Sequence, residues 1–393
     1  MAVSLVCGLA ACDPRHDSTA AAGCPSASAS PSTGDAGALT GEHLRVVTPP
    51  RQHVEPGIKG VHPDKPQVML SSCELWTVPD RTHYLHWDGS SGRTAAKPAA
   101  SWVPGGAEAD VQAMAAAGAT DVWSVGSYLN DQGGEIHAKG LVDHYDGRRW
   151  QAMEVPAADG YQLTAVAAPG NGTAWVLAAW NLGLAPLPSG QPTAQLLHWD
   201  GHAWSRHPVP LPAESLVEDG SLSAAGADDV WFGGFVTRRA VGTMGDLLMH
   251  WDGTRWRQVP YSARKENPSV LADGAGGVWV AAGGSSALDR HGVETRSADG
   301  PVFVHRTRTG TVTTVPVPPA PSGWWTRFPP TYLDKRQPAG YATCGLGDFF
   351  REPGTARVLM VETCRIDDTR DDAERGQMED YDNGEGSLVL SLE

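Results

Sequence analysis

Side chains that could bind a ligand stand outside the pattern that organises the rest of this sequence. Tryptophan can stack on a sugar ring or a peptide, and arginine or histidine can hold an anionic group. The candidates are Trp180, Trp324 and Trp325 for stacking, and Arg238, Arg239, Arg290, His291 and Arg327 for the anion. Covering a junction between structural units and simple solvation are the competing interpretations of these two sets.

Residues 366–386 form a strongly acidic segment. They include nine acidic side chains and two arginines, a sum of −7 within a net charge of −15. Calcium prefers such oxygen ligands, but the run 380–384 departs from the EF-hand spacing, which favours a solvated loop. We therefore expect no metal and no cofactor, with calcium as the alternative.

Local motifs for catalysis are absent from the sequence. There is no G-x-S-x-G elbow, H-E-x-x-H run, Walker A loop or dinucleotide fingerprint. The paired carboxylates of glycosidases have no local motif, so an enzyme stays open as an alternative. Nucleic acid is disfavoured by the net charge of −15, because Lys and Arg neutralise phosphates in such complexes.

A repeat with a period of about fifty residues organises the chain. It consists of an H-W-D-G-x-x-W phrase and a D-V-W-x-V-G phrase, each in four copies. The first phrase lies within 84–89, 141–156, 196–210 and 247–260, and the second lies within 118–126, 170–178, 226–234 and 274–282. Short β-type runs and glycine turns at a fixed period are typical of a β-propeller.

Each repeat unit is predicted to form a blade of four antiparallel strands, a to d. The Asp-Gly pair between strands c and d predicts a two-residue type I′ turn. Five units cover 66–104, 111–156, 163–210, 222–260 and 270–318. The remainder, 341–392, lacks one strand that residues 43–50 could supply, so we predict an all-β, six-bladed β-propeller, closed by pairing of an N-terminal strand with the C-terminal blade; seven blades is the alternative.

Tryptophan and histidine recur at equivalent positions of strands b and c. Such recurrence favours packing inside the ring over ligand binding. The recurring residues are Trp76, Trp123, Trp175, Trp231 and Trp279, with His86, His144, His198, His250 and His305. We expect the tryptophans in the core and the histidines in hydrogen bonds between blades.

The connections between strands b and c, and those between blades, should lie on one face of the ring. They are long and mutually dissimilar, whereas the turns of the opposite face are short and rich in glycine. The long connections are 128–139, 180–193, 237–245, 285–300 and 366–386. Variable loops on a rigid scaffold are the usual site of recognition, so we expect the binding surface there.

The N-terminus resembles a bacterial lipoprotein signal. Residues 9–12, Leu-Ala-Ala-Cys, are similar to a lipobox, which implies cleavage before Cys12 and lipidation of that cysteine. Residues 13–41 have the composition of a disordered tether, and residues 42–393 should form one propeller domain. This organisation predicts export, with a lipid anchor on the outer face of the cytoplasmic membrane or secretion, and contact with the membrane only through the anchor.

Export permits disulfide bonds. With Cys7 in the signal and Cys12 lipidated, the remaining cysteines are Cys24, Cys73, Cys344 and Cys364. Cys344 and Cys364 fall in neighbouring predicted strands and form the favoured pair. A bond from Cys73 to either one would instead tie the first blade to the last.

The two repeated phrases resemble those of secreted kelch-like and galactose-oxidase-like propellers of actinobacteria. The resemblance implies the fold and leaves the activity open. A likeness to the Asp-box of sialidase-type propellers also exists, but the Asp-to-Gly spacing in residues 252–256 is shorter. We therefore expect a monomeric, non-catalytic binding module for a protein or glycan at the cell envelope, with an extracellular glycoside hydrolase or polysaccharide lyase as the alternative.

Overall fold

A computed structural model shows an all-β chain built from antiparallel sheets. It describes residues 44–48, 66–70, 74–88, 91–103, 108–132, 134–180, 184–187, 189–211, 215–238, 244–261, 269–282, 284–288, 294–296, 302–317, 340–351, 358–367 and 385–392. Five of the sheets in these ranges have four strands and one has six. Within the same ranges, no helix is long and apolar enough to cross a membrane.

The four-stranded sheets follow one another along the chain, and each keeps its strands in chain order. The first contains β2 (Gln67–Met69), β3 (Leu75–Thr77), β4 (His83–Trp87) and β5 (Gly92–Ala96). The second contains β6 (Glu108–Gly118), β7 (Asp121–Gln132), β8 (Glu135–Tyr145) and β9 (Trp150–Ala152). The third contains β10 (Gln162–Gly170), β11 (Thr173–Ala179), β12 (Ala194–Trp199) and β13 (Trp204–Pro208). The fourth contains β14 (Ser215–Gly226), β15 (Asp229–Arg238), β16 (Met244–Trp251) and β17 (Trp256–Val259). The fifth contains β18 (Ser269–Ala272), β19 (Val278–Ala282), β22 (Val302–Arg306) and β23 (Val312–Pro316).

The six-stranded sheet joins the two ends of the chain. Its strands are β1 (Leu44–Thr48), β20 (Gly284–Leu288), β21 (Glu294–Arg296), β24 (Gly340–Arg351), β25 (Val358–Asp367) and β26 (Glu385–Leu392), in the order β1-β26-β25-β24-β20-β21. Leu44 lies opposite Leu392, so β1 pairs with β26 in the way that the sequence predicts for residues 43–50. Each of the sheets in the described ranges is open.

The inner strands of successive sheets lie beside one another. β2 contacts β6, β6 contacts β10, β10 contacts β14, β14 contacts β18, and β18 contacts β24. Apolar clusters fill the spaces between the first four neighbouring pairs of sheets. Sheets whose first strands contact one another in this succession are an arrangement typical of a propeller.

Four of the five recurring strand-b tryptophans lie in these clusters, as the repeat predicts, and the fifth, Trp279, stacks against Phe303 and His305. Their exposed fractions run from 0 % for Trp123 and Trp175 to 4 % for Trp76. An indole buries about 150–250 Å², which makes these residues the largest fixed contributions to the contact between neighbouring sheets. A packing role for them is confirmed.

The predicted type I′ turn between strands c and d is wrong. Tyr145 lies opposite Trp150, so four residues form the connection. Only Gly147 in this loop has a positive φ, 86°. The carboxylate of Asp146 accepts the backbone N–H groups of residues 148 and 149 at 2.9 and 3.0 Å, and an aspartate that caps its own loop removes the need for a second left-handed residue.

A two-residue turn of the predicted kind occurs instead between strands a and b of the third sheet. Gly170 lies opposite Thr173, and the two residues between them, Asn171 and Gly172, have φ of 58° and 66°. Asparagine and glycine tolerate positive φ, which is why this pair forms tight hairpins.

Candidate recognition surface

The hairpin β7–β8 extends beyond the rest of the second sheet. β6 pairs with β7 as far as Leu129, and β9 pairs with β8 only over residues 143–145. The tip of the hairpin, residues 130–137, therefore projects past both flanking strands on the side where sequence analysis placed the long connections.

This tip rests on the connection between β11 and β12 of the third sheet. Ile136 forms a parallel bridge with Leu184, and the N–H of Ala185 donates to the carbonyl of Ile136 at 2.8 Å. Nearby, Lys139 Nζ lies 3.8 Å from Asp159 Oδ1. The connections of the second and third sheets thus form one continuous layer.

Hydrogen bonds extend this layer to the fourth sheet. The hydroxyl of Tyr161 donates to the carbonyl of Pro192 at 2.7 Å, and Gln195 Nε2 donates to the carbonyl of Ala157 at 2.7 Å. Thr193 Oγ1 donates to the carbonyl of Ser215, the first residue of β14. We call the layer formed by residues 130–139, 153–161 and 184–195 the connection surface.

The fifth and sixth sheets are connected through backbone pairing of strands. The connection after β19 contains the hairpin β20–β21, and β20 pairs antiparallel with β24 from Gly284 opposite Cys344 to Leu288 opposite Gly340. The predicted insertion at 285–300 therefore serves partly as two added strands of the neighbouring sheet.

Trp180 is buried, in contrast to the exposed position that ligand stacking would need. Its side chain is 8 % exposed and packs in the cluster that contains Ala158 and Leu184. Its indole Nε1 donates to the carbonyl of Ala185 at 2.9 Å. The structure thus favours the alternative interpretation, in which this ring holds the connection over the junction between sheets.

The remaining predicted binding residues cannot be assembled into a site. Arg238 ends β15, with its backbone opposite Ser215, and its side chain lies outside the described part. Arg239, Arg290, His291, Trp324, Trp325, Arg327 and Cys12 lie outside the described residues, as does most of the acidic segment 366–386. In the described ranges, no group of three or more His, Cys, Asp or Glu residues could hold a metal ion.

The register supports one predicted pairing of cysteines. Cys344 of β24 lies directly opposite Cys364 of β25. The bond itself stays a prediction, since only the backbone of these strands is described.

The recurring histidines bond within their own sheets, which differs from the predicted hydrogen bonds between blades. Each ring that has an acidic partner stacks on the strand-b tryptophan and places Nε2 near a carboxylate at the start of the same sheet's strand b or in the turn before it. The pairs are His86 with Glu74 (2.8 Å), His144 with Asp121 (3.0 Å), His250 with Asp229 (2.9 Å) and His305 with Asp273 (2.9 Å). These carboxylates are thus occupied by the scaffold.

Asp121 carries the link between sheets that was expected of the histidines. Its Oδ1 accepts from Trp123 Nε1 at 2.8 Å and from His144 Nε2, while Oδ2 accepts from the N–H of Gly172 in the third sheet at 3.0 Å. Burial opposes ionisation of Asp121, but the bonds from His144, Gly172 and Trp123 outweigh it, so the pKa of this carboxyl lies below its ordinary value.

Sequence analysis missed a buried polar network between the first and second sheets. The hydroxyl of Tyr84 lies 2.7 Å from Asp143 Oδ2 and 3.0 Å from Ser124 Oγ. A usable signal existed, because Asp143 precedes His144 at a position where the other repeats carry an apolar residue.

Comparisons with known proteins bear on the fold. No protein-family model and no curated protein matches the chain. Solved structures similar to it include an oligogalacturonate lyase in complex with manganese (9 % identity over 82 % of this chain and 74 % of that one, TM-score 0.42), the endosialidase of phage phi92 (9 %, 88 % and 60 %, TM-score 0.39) and an endo-arabinase from Bacteroides thetaiotaomicron (8 %, 65 % and 93 %, TM-score 0.29). The fold is propeller-like. Sequence identities of 8–9 % support the fold alone.

Proposed function

We propose that this chain is an exported, six-bladed propeller that acts as a binding module for a glycan or a protein at the bacterial cell envelope. The succession of four-stranded sheets supports the blade count, and the pairing of β1 with β26 supports closure of a sixth blade by the N-terminal strand. The resemblance of residues 1–12 to a lipoprotein signal supports anchoring through Cys12. In this proposal a monomer contacts the membrane only through that lipid.

The connection surface is the observation that carries the proposal. It is built from non-repeating segments of the second and third sheets and of the connection between them, joined by the Ile136–Leu184 bridge and by hydrogen bonds from Tyr161 and Gln195. Loops held together in this way lose little conformational entropy on binding. At the opposite end of the first four sheets, each turn between the third and fourth strands is capped by an aspartate, so these described turns resemble one another.

A binding screen with matched variants tests this proposal. The wild-type ectodomain is applied to an array of bacterial and plant polysaccharides, beside a variant in which residues 130–137 are replaced by Asn-Gly and a variant Trp324→Ala Trp325→Ala. Arg255→Ala, in a capped turn at the opposite end, is the control. We expect at least tenfold weaker retention for the 130–137 variant, which alters the connection surface, or for Trp324→Ala Trp325→Ala, which removes two tryptophans predicted to stack on a ligand. Retention of the control should be unchanged.

Two results would contradict the location of binding. One is equal retention of all variants on a glycan that binds wild type, and the other is loss of binding in Arg255→Ala alone. If wild type retains no glycan, the same variants are tested against envelope proteins cross-linked to it, where the same ranking is expected.

A hydrolase or lyase of extracellular polysaccharide is the second candidate. Exposed carboxylates on or beside the connection surface, Asp131, Glu135 and Asp159, supply the residue type that glycoside cleavage uses. Several of the similar solved structures are enzymes that cleave polysaccharides, but their likeness to this chain concerns the fold alone. Release of new reducing ends or unsaturated uronides by wild type, and its loss in the corresponding Asn and Gln variants, would establish catalysis in place of simple binding.

A further inference from the structure

One position of the repeat breaks the apolar pattern inside the core. The residue before the recurring histidine is Leu85, Leu197, Met249 or Val304 in four of the sheets, and Asp143 in the second. Its side chain is 1 % exposed. Burial of a carboxylate costs several kcal/mol unless it is well paired, so an aspartate here needs an explanation that packing does not give.

Asp143 receives few hydrogen bonds for a buried carboxyl. Oδ2 lies 2.7 Å from the Tyr84 hydroxyl, which also lies 3.0 Å from Ser124 Oγ. Within the described part of the chain, Oδ1 has no hydrogen-bond partner, and neither has Lys97 Nζ. The lysine lies over the ring of Tyr84, with Nζ 5.3 Å from its centroid. Tyr84 belongs to β4 and Asp143 to β8, so the network spans the junction of two sheets.

The hydroxyl of Tyr84 carries one hydrogen, so it can donate to Asp143 or to Ser124 but not to both. With the carboxyl ionised, Tyr84 donates to Asp143 and Ser124 donates to Tyr84. With the carboxyl protonated at Oδ2, Asp143 donates to Tyr84 and Tyr84 donates to Ser124. The chain of three groups can reverse its direction without movement of a heavy atom. Only the ionised form leaves a charged oxygen, Oδ1, buried without a donor.

We propose that Tyr84, Ser124 and Asp143 form a proton-binding joint between the first and second sheets, in which the carboxyl is protonated while the sheets are packed and releases its proton to water when they separate. The bond that breaks is the carboxylic O–H, and no oxidant or other co-reactant is involved. The joint is independent of what the connection surface binds.

The charged and titratable neighbours of Asp143 agree with this assignment. Burial raises its pKa to about 7, although the bond from Tyr84 and the charge of Lys97 act in the opposite direction. Tyr128 of β7 also faces this carboxyl. Burial lowers the pKa of Lys97, which is opposed by the charges of Asp143, Asp80 and Asp110. The rest of the junction is apolar, with Trp150, Leu141 and Val122 around the network.

Protonation of Asp143 favours the packed state of the first and second sheets, as the proton affinities of the packed and separated states show. A free aspartate releases its proton near pH 4, whereas Asp143 in the packed junction keeps it to about pH 7. The packed state therefore binds more protons between these values, and acid favours it. Between pH 5 and pH 8, a shift of this size changes the equilibrium for opening of the junction by about 100-fold.

The test combines a direct titration with hydrogen exchange. In the full chain labelled with ¹³C at the aspartate carboxyls, the signal that disappears in Asp143→Asn should titrate with a midpoint near neutral pH. Amide exchange in β3 and β4, corrected for intrinsic rates, should be about 100-fold more protected at pH 5 than at pH 8. In Asp143→Asn this pH dependence should be lost, because the amide keeps the shape of the side chain without its proton.

Asp273→Asn is the matched control. Asp273 is also buried, at 3 % exposure, but it accepts bonds from His305 and from two backbone amides, and its pKa is lowered despite burial. This variant should keep the pH dependence of β3 and β4. A carboxyl midpoint below about pH 5 for Asp143, or unchanged pH dependence in Asp143→Asn, would overturn the proposal. If Asp143→Asn does not fold, Tyr84→Phe should raise the midpoint further by removing the donor, and a lower or unmoved midpoint would contradict the joint.

Discussion

Removal of the Asp121 carboxylate should loosen the contact between the second and third sheets. The side chain is 16 % exposed and accepts three hydrogen bonds, from Trp123, His144 and the N–H of Gly172. The first two fix the tryptophan–histidine stack of its own sheet, and the third reaches the neighbouring sheet. Asp121→Ala therefore leaves three donors without their acceptor.

The magnitude follows from those three bonds. A hydrogen bond to a charged group contributes about 1.5–3 kcal/mol, but partial exposure lets water replace part of it. We expect a loss of about 3–5 kcal/mol in the free energy of unfolding for Asp121→Ala. Asp121→Asn keeps an oxygen for the two side-chain donors and turns an NH₂ group toward Gly172, so a loss of about 2–3 kcal/mol is expected.

Urea unfolding at pH 7 measures these losses as shifts in midpoint at constant slope. Asp146→Ala is the control, because that carboxylate caps an exposed loop of the same sheet, and its effect should be clearly smaller. The exchange rate of the Gly172 amide gives an independent reading, with loss of protection in both Asp121 variants. An Asp121→Ala variant as stable as the control would refute the assignment of Asp121 as the link.

The same substitution has a defined pH dependence. The pKa of Asp121 lies below its ordinary value, so its contribution is present above the unfolded value near 4 and is lost as pH falls through the folded value. The difference in stability between wild type and Asp121→Asn should therefore shrink below about pH 4. A difference that grows in acid would contradict this sign.

Three further predictions concern the scaffold. Thr173→Asp places an acid at the position that Asp121 and Asp229 occupy in their sheets and should raise the pKa of His198 through a bond to its ring, measured by NMR titration. Little net change in stability is expected, because the variant also loses the bond from Thr173 Oγ1 to the carbonyl of Gly170 at 2.7 Å; an unmoved histidine pKa would contradict the prediction. Cys344 and Cys364 should form a disulfide after export, detected as two thiols fewer in the non-reduced protein by alkylation and mass spectrometry; full alkylation without reductant would exclude it. Gly126→Ala should destabilise by about 2–4 kcal/mol in thermal unfolding, because a Cβ would overlap a backbone carbonyl of β6; a change below 1 kcal/mol would contradict the close approach of these strands.

The order of the strands could be predicted from the sequence because equivalent positions of the repeats carry similar residues and so indicate the same strand several times. The five predicted units correspond to the five four-stranded sheets, although β6 and β14 begin at Glu108 and Ser215, before their predicted units at 111 and 222. Residues 43–50 contain the strand beside β26. The burial of the tryptophans could also be predicted, because a residue that recurs at one position of every unit is usually required for packing. Repetition also explains the error at the Asp-Gly turn, because the pattern shows that a turn exists without showing how many residues it needs.

The candidate surface was harder to predict because it lies in segments without repetition. Trp180 stood outside the repeat, which suggested a ligand, but its ring is used to hold a connection to Ala185. The role of β20 was also hidden, since an insertion counted in the fifth unit pairs with β24 of the sixth sheet. Long-range pairing of this kind leaves no periodic signal in the sequence.

Several carboxylates of the repeat have structural roles, which bears on where function can lie. In the turns between the third and fourth strands of the first four sheets, an aspartate caps its own loop through a backbone N–H group, namely Asp88, Asp146, Asp200 and Asp252. Four acids bind recurring histidines, namely Glu74, Asp121, Asp229 and Asp273. These eight carboxylates are used by the scaffold and recur with it. They cannot also act as a proton donor or nucleophile without cost to the fold, because each already accepts a hydrogen bond from the scaffold. Chemistry by carboxylates is therefore expected from acids outside this set, which in the described ranges include Glu135 and Asp159 at the connection surface and the buried Asp143.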